Sequence, residues 1–465
     1  MLLTALTVSS LSAQSVDTIA LRAHTRFLAS DLLEGRGTGT RGEHLAGLYI
    51  AAQLARMGAQ PIANNDYFLP IPLKRAIIDD RATTITLNNI TYHSTTDFVW
   101  NTGGRGALRS FSGPLTFVGR ADSAAAARAG DLRGRVVVIA GAMGAAAGDF
   151  VPALIKNGAV GVILLVPDNA TFDLYVRSRG DSRFFVDADV NDPVWQADLP
   201  IVIAGPSLAR AIVKDGVPMP FSQINGQLSA NFKANVVEVA SANVAGVIRG
   251  SDPKLANEYV AFSAHYDHLG ISTPDEQGDS IYNGFSDDAA GVAMVLGIGD
   301  VFIKQRPLRS VLLIFFTGEE RGLLGSSYYA SHPALPLNKM VGLINIDAGA
   351  PPARPLDWSI RAGNETPLGA VARKALALRK WEAVSGPSSP NSDYWPFLKR
   401  GAPAIFVVPG NKWENTTAEQ QKALRTEFDH YHQASDEWRP DFPFSGIQRY
   451  AEVALIIGKA VLNKK

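Results

Sequence analysis

The sequence predicts an α/β fold: a mixed central sheet flanked by helices, with a β-rich α/β module inserted into it. Three observations lead there. From about residue 236 to the end, apolar strand-like runs alternate with helix-like ones. Between about 105 and 235 lie short β-branched runs bounded by Gly and Pro, a different texture. And 465 residues exceed one ordinary core, so two domains are expected.

Taken in order, the chain opens with MLLTALTVSSLSAQS, a short apolar run ending in small residues. It reads as a signal peptide over 1–13, with Ala13 at the cleavage position, although the usual basic start is missing. The run is far shorter than the ~20 residues a membrane span needs. Residues 17–58 read as helical: LRAHTRFLASDLL and EHLAGLYIAAQLARMG carry apolar residues at helical spacing. EGRGTGTRG between them is a Gly-rich connection with Arg36 and Arg41. It lacks the preceding strand and the GK[ST] ending of a phosphate-cradling loop.

In the middle segment GRVVVIAG, GAVGVILLV and LPIVIAG read as strands, with helix-compatible pieces such as DFVPALIKN between them. Few His or carboxylate residues converge there, so the module reads as catalytically silent. From 236 onward the strand candidates are NVAGVIRG, EYVAFSAHYD, SVLLIFFTG, KMVGLINID and APAIFVVPG. The helix candidates are GVAMVLGIGDVFIKQ, LGAVARKALAL and IQRYAEVALIIGKAVL.

Composition excludes several function classes. Lys plus Arg and Asp plus Glu both number 44, so the net charge is zero. A nucleic-acid or membrane-surface partner would call for a basic excess. No cysteine is present, which removes disulfides, thiolate metal sites and cysteine nucleophiles together. Any metal must be held by His and carboxylates.

Those residues gather at the ends of strand candidates, where ligands bind in such folds. HYDHLG supplies His265 and Asp267, TGEERG supplies Glu319 and Glu320, and LINID ends in Asp347. NGFSDDAAGV holds Asp287 and Asp288 before a helix, and DHYHQASDEW holds Tyr431 and His432. On a strand, positions i and i+2 face the same side, so Asp267 is expected to buttress the imidazole of His265. His268 has no such partner and reads as bystander surface. Adjacent carboxylates repel, and Asp287 beside Asp288 fits either a bridge between two cations or a helix N-cap. Glu319 and Glu320 point different ways after a buried strand, so one can bind metal while the other stays free as a base. Asp347 alone reads as well as a turn cap, and His432 alone as a structural residue. The joint occurrence carries the argument.

The ordered series HYDHLG, NGFSDDAAG, FTGEERGLLGS, INID and YHQASDEW resembles the M28 zinc peptidases over residues 236–465. The middle segment resembles a protease-associated domain, a module inserted in several peptidase families. The resemblance divides the chain into 14–104, an N-terminal part of the peptidase domain; 105–235, the protease-associated domain; and 236–465, the catalytic domain. It implies two zinc ions: His265 and Asp347 on one, Glu320 and His432 on the other, Asp287 bridging. It also implies a cis Asp287–Asp288 peptide, Glu319 as general base and Tyr431 as an oxyanion donor. Ala290 departs from the family, where Ser is usual.

The function so implied is hydrolysis of peptide bonds by a metal-held hydroxide, in a secreted or periplasmic enzyme acting on peptide substrates. An aminopeptidase is expected. A carboxypeptidase or dipeptidase, with Arg36 and Arg41 reading a terminal carboxylate, is the alternative, followed by a glutaminyl cyclase and a receptor-like binding protein. By their place in the family, residues 391–395 (Asn391, Ser392, Asp393, Tyr394, Trp395) are candidates for the side-chain pocket. A core helix explains Trp395 and Phe397 equally well.

Overall fold

A computed structural model describes residues 15–63, 65–101, 108–120, 128, 130–141, 150–166, 168–178, 182–187, 199–214 and 216–464. The expected signal peptide, residues 1–13, lies outside them. The chain forms two compact units: 1–71 with 240–465, and 72–239. Strands Phe68–Ile78 and Ala234–Ile248 carry the chain from one unit to the other.

Seven strands form the body of the first unit's main sheet: β1 (Ala234–Ile248), β2 (Tyr259–His265), β3 (Ser310–Phe316), β4 (Met340–Asn345), β5 (Asp357–Arg361), β6 (Glu382–Gly386) and β7 (Ala404–Pro409). They run in the order β6-β5-β7-β4-β2-β3-β1. Strands β3, β2, β4 and β7 are mutually parallel, while β1 and β5 run antiparallel to their neighbours β3 and β7. The sheet is therefore mixed. All seven residues of β2 and all seven of β3 are buried. That is why both read as continuous apolar runs rather than alternating ones.

Side chains alternate between two faces. Phe262, Val311, Leu313 and Phe315 share one core with helices α3 (Ala290–Lys304) and α8 (Ser445–Leu462). The same core takes in α1 (Thr18–Leu28) and α2 (Arg41–Met57). Ala261, Leu312, Ile314 and Phe316 face the opposite core, with α4 (Leu324–Ser331) and α6 (Tyr394–Lys399). Helix α5 (Pro367–Ala377) joins the first face, and α7 (Ala418–Arg425) has no buried residue. Strands β5 and β6, absent from the sequence reading, are short and carry polar residues such as Asp357, Arg361 and Glu382 that mask any apolar run.

The second unit holds an eight-stranded sheet of its own. GRVVVIAG, GAVGVILLV and LPIVIAG become neighbouring parallel strands, Val136–Ala140, Gly161–Leu165 and Ile201–Ala204. Apolar cores cover its two faces. The segment 105–235 lies inside this unit, whose sheet also takes in Thr84–Leu87, Ile90–His93 and Phe98–Trp100. No helix among the described residues is long and apolar enough to cross a membrane.

Candidate metal centre

Register brings the carboxyl ends of the parallel strands level. His265 is opposite Phe316, and Ser263 is opposite Asn345. Glu319, Glu320 and Asp347 therefore leave the sheet beside His265. Asp287 arrives from a turn at Phe285–Ala289 that opens α3, and His432 from the loop after His430.

Two groups of ligand-type atoms form, each within 4.8 Å: His265, Asp287 and Asp347; and His268, Asp287 and Glu320. In the first, His265 Nε2 lies 3.0 Å from Asp287 Oδ1 and 3.2 Å from Asp347 Oδ1. In the second, His268 Nδ1 lies 2.6 Å from Glu320 Oε1. His432 Nε2 joins it, 2.9 Å from Asp287 Oδ2 and 3.3 Å from Glu320 Oε2. Asp287 gives one oxygen to each side. His432 holds φ +57°, a conformation sparsely populated by non-glycine residues and often found at functional sites.

The surroundings aim these groups. His265 Nδ1 meets the main-chain oxygen of Asp267 at 3.0 Å. The Asp267 carboxylate stands off at 3.8 Å. It instead accepts from Thr38 Oγ1 at 2.7 Å and from the Glu319 N–H at 3.1 Å. This corrects the sequence reading: β2 ends at His265, so the two-residue period does not carry on to Asp267, and the buttress is a carbonyl. Asp347 Oδ2 accepts from Ser392 Oγ, which accepts from Asn345 Nδ2. Asn345 Oδ1 in turn accepts from Ser263 Oγ. Asp436 accepts from the Ser286 N–H and hydroxyl and from the Asp287 N–H.

The paired aspartates part company: Asp288 caps α3, accepting the Gly291 N–H at 3.0 Å, while Asp287 faces both groups of ligand-type atoms. The peptide between them is cis.

His268 is corrected outright. It is wholly buried, because the Arg36–Gly37 loop pairs with its backbone, and its side chain faces Glu320. Arg36 is corrected as well. It is 1% exposed and its guanidinium donates to five main-chain oxygens, those of Leu28, Tyr266, Asn283, Gly284 and Asp287. Nothing remains to read a substrate carboxylate. Arg41 is exposed, 3.8 Å from Glu34.

Charge follows position. Burial works against the charge on Asp287, yet the imidazoles of His265 and His432 hold it well below the usual carboxylate range. Burial pushes Glu319 the other way, reinforced by Asp347, Asp393 and Glu320. Burial would lower His432, but Asp287 and Glu320 raise it to about 10.

A cavity of about 610 Å³ opens over the site, with Asp287, Glu319, Asp347 and Tyr431 in its wall. Tyr431 is largely exposed and stacks on His432 with ring centres 3.9 Å apart. Of the pocket candidates, Asn391 lines this cavity, whereas Tyr394, Trp395 and Phe397 belong to the core beneath β2 and β3.

Comparison with known proteins agrees with this architecture. Residues 243–456 match peptidase family M28. Over 178 residues the chain is 32% identical to a probable leucine aminopeptidase 2 from Aspergillus oryzae, covering 36% of this chain and 33% of that protein. It is 28% identical over 130 residues to a probable zinc metalloprotease from Leptosphaeria maculans, covering 26% and 29%. The chain thus spans about a third of the length of these curated relatives. Its fold is that of an aminopeptidase from Aneurinibacillus sp. strain AM-1, with TM-score 0.56, 19% identity, and 96% of this chain and 93% of that one covered. A zinc aminopeptidase from Bacillus subtilis gives TM-score 0.52 at 17% identity, covering 97% and 96%. The match to peptidase family M28 covers residues 243–456, and every residue of the metal centre lies within it.

Proposed function

We propose that this chain is a zinc metallo-exopeptidase that holds two zinc ions and releases residues from the N-terminus of peptides. The observation that carries this is the pair of ligand groups sharing Asp287 at the floor of an open cavity. The residues fit the metal. All are nitrogen or carboxylate ligands, the set zinc takes when no cysteine is present. Asp287 Oδ2 and His432 Nε2 are buried and lie 2.9 Å apart as an ion pair, yet neither makes an aligned hydrogen bond, an arrangement that a shared cation would satisfy.

Zinc, when bound, supplies Lewis acidity: it lowers the pKa of water towards ~7 and favours charge developing on a carbonyl oxygen. The protein's own groups do the rest. His265, Asp287 and Asp347 hold one ion; Asp287, Glu320 and His432 hold the other. His268 engages Glu320 Oε1 and leaves Oε2 facing His432. Glu319 lies outside both groups and takes the proton of the attacking water, then delivers it to the leaving amine. Tyr431 donates to the developing oxyanion from the cavity wall. The second unit contributes none of these residues and is proposed as a protease-associated-type module governing access or partner contact.

The test is a pair of assays. The purified chain should contain close to two zinc ions and hydrolyse peptides with a free N-terminus, losing at least ~100-fold in kcat/KM when that amine is acetylated. Cleavage of the acetylated peptides alone would reverse the assignment. His268→Ala should weaken one zinc by ~10–100-fold, as loss of an orienting partner does, and leave the other unchanged. A chelator-competition titration reads this, and two unaltered affinities would remove His268 from the centre.

A further inference from the structure

We infer that the cavity over the metal centre selects substrates carrying a carboxylate, bound by Arg361 and Arg425. The inference rests on the exopeptidase reading and adds a substrate class to it. Arg361 is the last residue of β5, opposite Phe406 of β7. Arg425 is the last residue of α7. Both reach the cavity whose floor holds Asp287, Glu319 and Asp347.

Among the described residues neither guanidinium forms an ion pair or a side-chain hydrogen bond. Other arginines of the unit are engaged: Arg309 with Glu258, Arg439 with Glu427, Arg449 with Glu414 and Glu452. Arg361 is moreover only partly exposed, so its charge is incompletely hydrated. Arg425 is exposed, but a guanidinium taken partly out of water without a partner, as Arg361 is, gains from an anion that enters the cavity. The partner here is one the protein itself does not provide. The same cavity is lined by the apolar side chains of Phe406, Val408 and Phe428. A short methylene chain ending in a carboxylate matches both parts, since the planar guanidinium fork pairs bidentately with that group. The carboxylate has two possible sources: an acidic side chain on the residue released, or the free C-terminus of a short peptide.

Kinetics on the zinc-loaded full chain separates the sources. Glutamyl-p-nitroanilide against glutaminyl-p-nitroanilide varies only the side-chain carboxylate. Leucyl-glycine against leucyl-glycinamide varies only the terminal one. At least one pair should show a preference of ~10-fold or more for the carboxylate, the size expected of a charge-assisted hydrogen bond. Arg361→Gln and Arg425→Gln, made separately so that one misfolded variant does not decide the matter, should each reduce that ratio about tenfold. No preference in either pair, or a preference unchanged in both variants, overturns the inference while leaving exopeptidase activity standing. Should no substrate turn over, the exopeptidase reading fails by itself, and calorimetry still decides the carboxylate site. Glutarate binding more tightly than glutaramide, with the difference lost on Arg361→Gln or Arg425→Gln, supports it; equal binding overturns it.

Discussion

Glu319→Gln is expected to lower kcat by ~10²–10⁴-fold, the range for loss of a positioned proton-transfer group, with zinc content unchanged. Glu319 is the one carboxylate at the floor of the cavity that belongs to neither ligand group. Its backbone is fixed by the N–H donated to Asp267 Oδ1, so its side chain is aimed by a buried residue rather than by a mobile loop. Burial and the nearby carboxylates of Asp347, Asp393 and Glu320 raise its proton affinity well above that of an ordinary glutamate. A base needs a pKa near the working pH, and an unperturbed carboxylate is too weak to hold the proton for the leaving amine. Glutamine keeps the shape and removes the basicity. Turnover of a free-amine peptide, with metal analysis on the same sample, measures both halves. A variant within threefold of the parent would dismiss Glu319 as the base. A variant that loses zinc would move it into the ligand set.

Much of this centre was legible because the fold places ligands at strand ends. A continuous apolar run followed by Glu-Glu or by Asp is visible in sequence, and parallel register does the convergence. What was illegible depended on distance along the chain. His268 meets Glu320 across 52 positions, so nothing beside it revealed a partner. Asp267 was aimed wrongly because the strand stops two residues earlier than the alternation rule assumed. β5, whose last residue is Arg361, was missed because its alternation, Asp-Trp-Ser-Ile-Arg, is too short and too polar to stand out as an apolar run. Arg36 was the hardest case. A Gly-rich loop with two arginines suggests ligand reading, and only the folded chain shows that the groups Arg36 meets are main-chain oxygens, four of them more than 200 residues away.

That makes Arg36 the second large effect. Its guanidinium ties the end of α1, the residue after His265 and the Asp287 turn to one point. Burial disfavours its charge, and Asp287, Asp436, Asp288 and Asp267 compensate through space. Arg36→Met keeps much of the volume but leaves five carbonyl oxygens short of a donor and those aspartates short of a cation. Each buried group left unsatisfied costs ~1–3 kcal/mol, and removing one side of a buried charge arrangement costs ~3–5 kcal/mol. A loss of at least ~3 kcal/mol in the first unit is expected, together with much weaker zinc binding, since the turn presenting Asp287 loses its anchor. Arg36→Lys should rescue little, because a single ammonium with three donors cannot span carbonyls arranged around a planar fork. Arg41→Ala is the control: an exposed residue 3.8 Å from Glu34 should change stability by no more than ~0.5 kcal/mol. Denaturant unfolding followed beside zinc titration reads both quantities. Equal stability and equal zinc affinity in Arg36→Met would mean that the Asp287 turn holds its shape without the clamp, through Asp436 and the α3 cap alone.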